Sequence, residues 1–412
     1  MRSSKFIFVA SSVTALTLVI TGFGSIGAVQ ASSRAAKPTT ITIGAALSLT
    51  GKLAKEGQLT KEGYQLCQDK VNALGGIPIR GGKAILNISY QDDTSKPDTA
   101  AQLVDQFNDK GIKLILSSYG SPNIEAQAAV VERNGQVMAD SAGADNKIFQ
   151  KGYRRTFAVL SPATEYAASI IKAIGQLARP KPKTIVFLSA DDGFSRTVTE
   201  GGIAEAKKEG FTVLSTQYFP SGSSDVSSSL IKIQALKPDV IIGSVHLVEG
   251  VAIIKQSHEL GIKPAGFGES VAPPISDFAK TLGAQAENVL GSSQWTQTTL
   301  GADKYFGTAK DYAGDILAKY GHSANYLNAQ ASAACFALVF AVEHARSADA
   351  NKVRDALASL NTMSFFGRIR FDATGQNIYK PMSVIQIQQG KVVTVWPTRL
   401  AEAKMIWSKT TS

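Results

Sequence analysis

Apolar and polar positions along the chain follow two alternating periods. Short apolar runs bounded by Gly, Ser and Asp read as strands buried on both faces, and the stretches between them carry apolar residues at helical spacing. Residues 41–47 (ITIGAAL), 84–90, 113–117 and 136–139 are predicted strands, and 59–74, 99–110 and the segment from Asn123 onward are predicted helices. The pattern then restarts, with helices at 162–177, 197–208 and 248–260 and strands at 184–188, 212–218 and in KPDVIIGSV. The last third adds a long helix at 326–345, a helix at 351–359, and strands at 367–371, 382–388 and 391–396. Strand–helix alternation predicts parallel sheets covered by helices on both faces. Two such runs without sequence identity predict an α/β chain of two doubly wound parallel-sheet lobes rather than a repeat array.

In doubly wound sheets, ligands sit at the carboxyl ends of strands. The predicted strand-end loops are 48–57, 117–122, 140–145, 190–195, 244–249 and 268–273, and they face one cleft if the lobes face each other. The second of these is the most informative. The strand 113–117 turns on Ser118, Gly120, Ser121 and Pro122 and enters a helix by its N-terminus. The first N–H groups there are unpaired and the helix dipole favours negative charge, so an anionic group can dock with few side chains. The alternative is that Ser121 only caps the helix.

Composition sets the class. The chain has 412 residues, 44% hydrophobic and 18% charged, enough for two core-bearing lobes. The net charge of +10 comes without any dense Lys/Arg run interleaved with aromatics, so nucleic acid is not an expected partner. Residues 1–31 read as a secretory signal: Arg2 and Lys5, an apolar stretch, then Val29-Gln30-Ala31 before Ser32. Ser and Thr interruptions argue against a membrane anchor, and no later apolar run reads as a span. Residues 32–40 read as a polar linker, and the mature chain as exported. Cys67 and Cys335 are the only cysteines. Pairing is open to them outside the cytoplasm, but buried thiols on two helices are the favoured reading, and they form no metal motif.

Catalytic patterns are missing. GGIPIRGGKA has Lys83 at the wrong spacing for a phosphate loop and Ala84 where Ser or Thr is needed. GFGSIG matches a dinucleotide fingerprint by letter, yet lies in the leader. There is no GxSxG and no HExxH, and of the four histidines only His246 falls at a predicted strand end. No nucleophile meets a base, so no enzyme, cofactor or metal is expected.

Three runs, ITIGAALSLTGKLAKEGQ, NALGGIPIRGGKAILNISYQDD and VIIGSVHLVEGVAIIKQSHELGIKP, resemble the type I periplasmic binding proteins of ABC importers, nearest the leucine/isoleucine/valine- and amide-binding branch. The resemblance covers about residues 41–400. It implies two lobes joined by three crossovers near Leu160, Ser293 and Lys380, with 41–159 plus 294–379 in one lobe and 160–293 plus 380–412 in the other. It further implies a monomer in the periplasm that captures a small amino acid-like solute and hands it to membrane permease subunits.

The site residues it implies are Ser121 for the solute carboxylate, helped by Ala142 and Ala144, Glu269 for the ammonium, and Tyr326 as a wall. At Ala144 the family's Thr hydroxyl is missing, so Ser141 or main-chain N–H groups substitute. Family tyrosines become Phe194 and Val245, the latter beside His246, and a first-loop aromatic becomes Glu56 at the rim. Trp295 is placed to supply aromatic surface, which opens an alternative: an aromatic carboxylate as ligand. Phe194 and Trp295 as core residues, Glu56 as a solvated charge and His246 as a helix cap remain open, as does a ligand-sensing receptor on the same fold.

Overall fold

The computed structural model describes residues 39–407, so the predicted signal and most of the linker lie outside it. The first sheet contains β1 (Thr39–Leu47), β2 (Ile77–Ile79), β3 (Gly82–Asp92), β4 (Leu114–Leu116), β5 (Val137–Asp140) and β6 (Thr156–Ala158), ordered β2-β3-β1-β4-β5-β6. Every pairing is parallel except the β2–β3 hairpin. Helices α1 (Ala54–Ala73), α2 (Pro97–Asp109), α3 (Ser121–Arg133) and α4 (Asn146–Phe149) connect these strands.

The second sheet begins with β7 (Thr184–Ala190), β8 (Thr212–Phe219), β9 (Val240–Ser244), β10 (Gly266–Glu269) and β11 (Leu290–Ser293), all parallel. Its helices are α5 (Glu165–Leu177), α6 (Gly193–Lys208), α7 (Ser227–Gln234), α8 (Leu247–Glu259) and α9 (Ser276–Leu282). The chain then returns to the first lobe. There it forms the small hairpin β12 (Ala302–Asp303) and β13 (Gly307–Thr308), helices α10 (Ala309–Tyr320), α11 (Tyr326–Ala345) and α12 (Ala350–Ala358), and the hairpin β14 (Asn361–Ser364) and β15 (Gly367–Arg370). Finally β16 (Ser383–Gln388) and β17 (Lys391–Trp396) add antiparallel to β11, giving the order β17-β16-β11-β10-β9-β7-β8.

The continuous apolar strands are those enclosed by helices: β4 (LIL) and β9 (VIIGS) are buried along their whole length. Helix α11 is apolar on all sides because it is surrounded on all sides. Contrary to the sequence expectation, it is long and apolar enough to cross a membrane, but it is almost entirely buried inside the protein. A capping box starts it: the Asn325 side chain accepts from Leu327 and Asn328 N–H, and the Asn328 side chain accepts from Asn325 N–H.

Helix α11 packs on α1, and there Cys67 and Cys335 form a disulfide across 268 residues of sequence, with a Cα–Cα distance of 6.3 Å. The expectation of two separate thiols is thus corrected. Both cysteines do lie on helices, but the helix–helix contact that joins them is set by the tertiary fold, which spacing does not report.

Three segments cross between the lobes, and they are bonded to one another. Ser161 N–H and Oγ donate to Gln294 Oε1 at 3.0 and 3.2 Å, and Ser161 Oγ also lies 2.7 Å from the Lys380 carbonyl. Gln294 Nε2 returns a bond to the Ser161 carbonyl at 3.2 Å and reaches Tyr166 Oη at 2.8 Å. Lys380 Nζ donates to the Gln294 carbonyl and lies 4.3 Å from the centre of the Phe366 ring.

No carboxylate pairs with Lys380 among the described residues, and burial pulls its pKa down from 10.5 to about 7. A group depressed in the folded state favours folding above its unfolded pKa and loses that contribution as pH falls through the folded one. Lys380→Met is therefore expected to raise stability in urea by about 1–4 kcal/mol at pH 6. The gain should shrink as pH rises from about 7 toward 10.5.

Candidate functional site

The turn before α3 departs from the capping alternative. The N-cap is Gly120, at φ 89°, a left-handed conformation that a side chain at this position would strain. Ser121 is the first helical residue, and its hydroxyl makes no cap bond; it accepts from Asp145 N–H at 3.2 Å. That bond ties the α3 N-terminus to the loop after β5.

The same loop is shaped by Asp140. One carboxylate oxygen accepts from Ala142 N–H at 2.9 Å, Gly143 N–H at 2.8 Å and Ser117 Oγ at 3.1 Å. Burial raises this carboxyl to about 6, opposed by those three donors. Ser141, suggested as the substitute for the missing Thr hydroxyl, instead bonds Tyr64 Oη at 2.8 Å and Ser117 Oγ at 3.3 Å.

The two sets of strand tips meet across a cavity. Tyr119, Ser121, Ala142, Tyr326 and Gln330 face it from the first lobe, and Tyr166, Phe194, His246 and Val271 from the second, with Leu160 at the crossover. Its volume is about 10 Å³, room for roughly one water. The rings themselves close it: Phe194 lies 5.3 Å from both Tyr166 and His246, and Tyr119 is edge-on to His246 at 6.0 Å. The space left is far smaller than an amino acid.

Polar contacts hold the lobes together around this cavity. His246 Nδ1 lies 3.3 Å from Tyr119 Oη, Thr197 Oγ1 donates to Asp145 at 2.7 Å, and Tyr326 Oη donates to the Val271 carbonyl at 3.3 Å. At the surface, Lys55 pairs with Asp277 at 3.0 Å. His246 Nε2 sits 3.5 Å from Asp192 Oδ2. Burial opposes charge on both, but the hydrogen bond and mutual attraction prevail, lifting His246 to about 9 and lowering Asp192 to about 2. At neutral pH the cavity wall therefore carries a cation whose counter-charge lies behind it. His246 also occupies the N-cap of α8, yet its side chain makes no capping bond.

Five predicted residues thus share one cavity: Ser121, Ala142, Phe194, His246 and Tyr326. Ala144 stands behind it, its carbonyl accepting from Ala163 N–H at 2.8 Å. Glu269 is also behind the wall, 1% exposed, packed against Gly243 and Gly250, and neither carboxylate oxygen has a hydrogen-bond partner among the described residues. Burial, then the charge of Glu249, pushes its pKa well above 4.5.

Two placements differ from expectation. Glu56 is not at a solvated rim: it lies in the first turn of α1, 2% exposed. Burial raises its pKa, with the charge of His246 opposing. The predicted loop runs through Gly57, but that glycine is helical, and a Cβ there would fall 1.8 Å from the Ser48 carbonyl; it permits close packing rather than a turn. Trp295 is absent from the cavity. Its indole N–H donates to the Phe365 carbonyl at 3.1 Å and its ring packs on Tyr312.

Sequence reasoning does not single out Tyr119, Tyr166 and Gln330. Tyr119 shares the turn of Ser121, and Gln330 follows Tyr326 by one helical turn, so both are within reach of the reasoning that finds their neighbours. The buried Gln330 carbonyl oxygen has no partner among the described residues, leaving an acceptor at the cavity.

Comparison with known proteins finds relatives along most of the chain. Residues 40–391 match the family described as periplasmic binding protein. Leu/Ile/Val-binding protein homolog 8 of Brucella abortus (strain 2308) is 26% identical over 393 residues, covering 90% of this chain and 93% of that protein. Among solved structures, a leucine-binding protein, LivK, from Thermotoga maritima superposes with TM-score 0.76 at 21% identity, over 86% of this chain and 97% of the other. A solute-binding protein of an ABC transporter from R. palustris, in complex with benzoate, gives TM-score 0.73 at 14% identity, over 86% and 95%.

Proposed function

The chain belongs to the periplasmic binding protein family, and on that premise we propose that it is the solute-binding component of an ABC importer, capturing a branched-chain amino acid or related amide between closing lobes. The observation that carries this reading is the convergence of strand tips from two sheets on one cavity that is closed in this conformation. The N-terminus of α3 at Ser121 suits a carboxylate. Glu269, buried and unbonded, suits an ammonium, which would ionise it and supply its missing partners. Solute contacts that exist with both lobes only on closure shift the open–closed equilibrium toward closed. The bonded crossovers at Ser161, Gln294 and Lys380 act as the hinge, and the permease reads the closed form.

The lobes then comprise 41–159 with 294–379, and 160–293 with 380–407, except that β1 extends back to Thr39; residues 408–412, also assigned to the second lobe from the sequence, lie outside the described residues. Residues 1–31 direct export to the periplasm, and the mature protein acts as a monomer without catalytic turnover.

The aromatic lining supports a second reading. Tyr119, Tyr166, Phe194 and Tyr326 around a cationic His246 also suit an aromatic carboxylate with no ammonium. A thermal-shift screen separates the two, because a ligand bound only by the folded state raises the melting point by RT ln(1 + [L]/Kd). Leucine, isoleucine or an amino-acid amide is expected to raise it. A rise with benzoate alone selects the second reading, and no rise with any of them rejects both.

A further inference from the structure

We propose that Asp145 is a positioning residue for solute capture: on closure its carboxylate fastens the first lobe to α6 of the second, which carries Phe194 over a solute held at Ser121. This role rests on the reading of the Ser121 cavity as the solute site. It needs no further ligand, since the parts are one buried side chain and the helix that it meets.

Asp145 belongs to the loop after β5 and is buried. Its N–H donates to Ser121 Oγ at 3.2 Å, so its main chain is bonded to the residue placed at the solute carboxylate. Its side chain faces the other lobe. Oδ1 accepts from Lys147 N–H at 3.1 Å, which caps α4, and from Thr197 Oγ1 at 2.7 Å. Thr197 is buried too, and it follows Phe194 on α6 by three residues, close to one helical turn. One residue thus touches the Ser121 turn with its backbone and the helix of Phe194 with its carboxylate. The bond to Thr197 crosses between the lobes, so it exists only while they are together. The neighbouring pair Lys147–Glu200 also crosses, at 3.8 Å, but both side chains are exposed and water screens them.

Gly193, the first residue of α6, supplies the second observation. Its φ is not left-handed, so the backbone does not require glycine there. A Cβ on it would stand 2.6 Å from Asp145 Oδ2. Apart from its chain neighbours and the backbone of α6, the atoms within 4 Å of that point are Asp145 Oδ2 and Cγ, both in the other lobe. Nothing in its own lobe demands the missing side chain; only the closed approach of Asp145 does. With a methyl group there, Asp145 must move off and give up its bond to Thr197. A contact made only on closure holds the solute in rather than speeding its entry, so it is read in the rate of release.

Release and uptake of radiolabelled leucine by the mature chain test this, with radiolabelled benzoate in its place if the thermal-shift screen selects benzoate. Gly193→Ala is expected to speed release by about tenfold, the worth of a hydrogen bond to a charged group. Uptake should change by less than about twofold. The melting temperature without solute should stay level or rise, because alanine replaces glycine in a helix. A merely structural glycine would instead lower it. Thr197→Val and Asp145→Ala should speed release to a similar extent, and Gly193→Ala added to Asp145→Ala should add nothing, since the group it displaces is gone. If Asp145→Ala fails to fold for want of the α4 cap, Gly193→Ala and Thr197→Val decide alone. Release at the wild-type rate in Gly193→Ala and Thr197→Val, or effects that multiply in the double variant, overturns the role of Asp145. A wild-type chain that takes up neither compound rejects the solute site itself and this role with it, so the two failures are told apart.

Discussion

Glu269→Gln is expected to weaken binding of an ammonium-bearing solute by about 2–5 kcal/mol, roughly 30- to several-thousand-fold, because it removes one member of a desolvated charge pair. The same position should show the opposite sign in stability. In this structure the carboxyl is 1% exposed, neither oxygen has a partner among the described residues, and a second buried acid, Glu249, lies close by. Glu269→Leu, which leaves no orphaned polar atom, is therefore expected to stabilise the unliganded protein by about 1–4 kcal/mol in urea denaturation. Its folded pKa lies above 4.5, so the contribution of Glu269 to stability is full below that pH and is lost as pH rises. The advantage of the leucine variant should accordingly grow from pH 4 to pH 8. A variant that loses both stability and affinity would assign Glu269 to packing alone. Unchanged affinity for an aromatic acid, beside lost affinity for leucine, would define what this carboxyl reads.

Removing the Cys67–Cys335 bridge is expected to cost about 2–5 kcal/mol of stability, whether by reductant or by replacing both cysteines with alanine. The bridge closes a loop of 268 residues in sequence that passes through the second lobe and back. Cutting it releases a large ensemble of unfolded conformations that the bridged chain never visits. It also joins the helix that holds Glu56 to the one that holds Tyr326 and Gln330. Thermal scans with and without dithiothreitol measure the effect, and a melting point that does not fall on reduction would show that packing of α1 on α11 suffices.

The sheets were legible wherever a strand is enclosed by helices. The strands β1, β4, β7 and β9 read as apolar runs because both faces are buried. Strands β10 (GFGE) and β11 (LGSS) carry no such run, since small residues there admit neighbours such as Ile170, Ile385 and Pro273; the predicted loop 268–273 hinted at β10, and nothing in the pattern marked β11. The strand-tip rule brought Ser121, Ala142, Phe194 and His246 to one cavity without any coordinates. It failed at Glu56, where a glycine needed for close packing looked like a turn. Trp295, offered with the family resemblance as aromatic surface near the second crossover, instead packs with segments 17 and 70 residues away in sequence. The disulfide and the bonding among the three crossovers depend on residues 86 to 268 positions apart. Such contacts leave no periodic trace.

Small-angle scattering of the mature protein, with and without a saturating solute from the thermal-shift screen, tests hinged capture most directly. The radius of gyration should fall on adding that solute and stay constant on adding a solute that gave no thermal shift. A radius of gyration that does not change when the binding solute is saturating would contradict closure of the lobes, and with it capture of a solute between them.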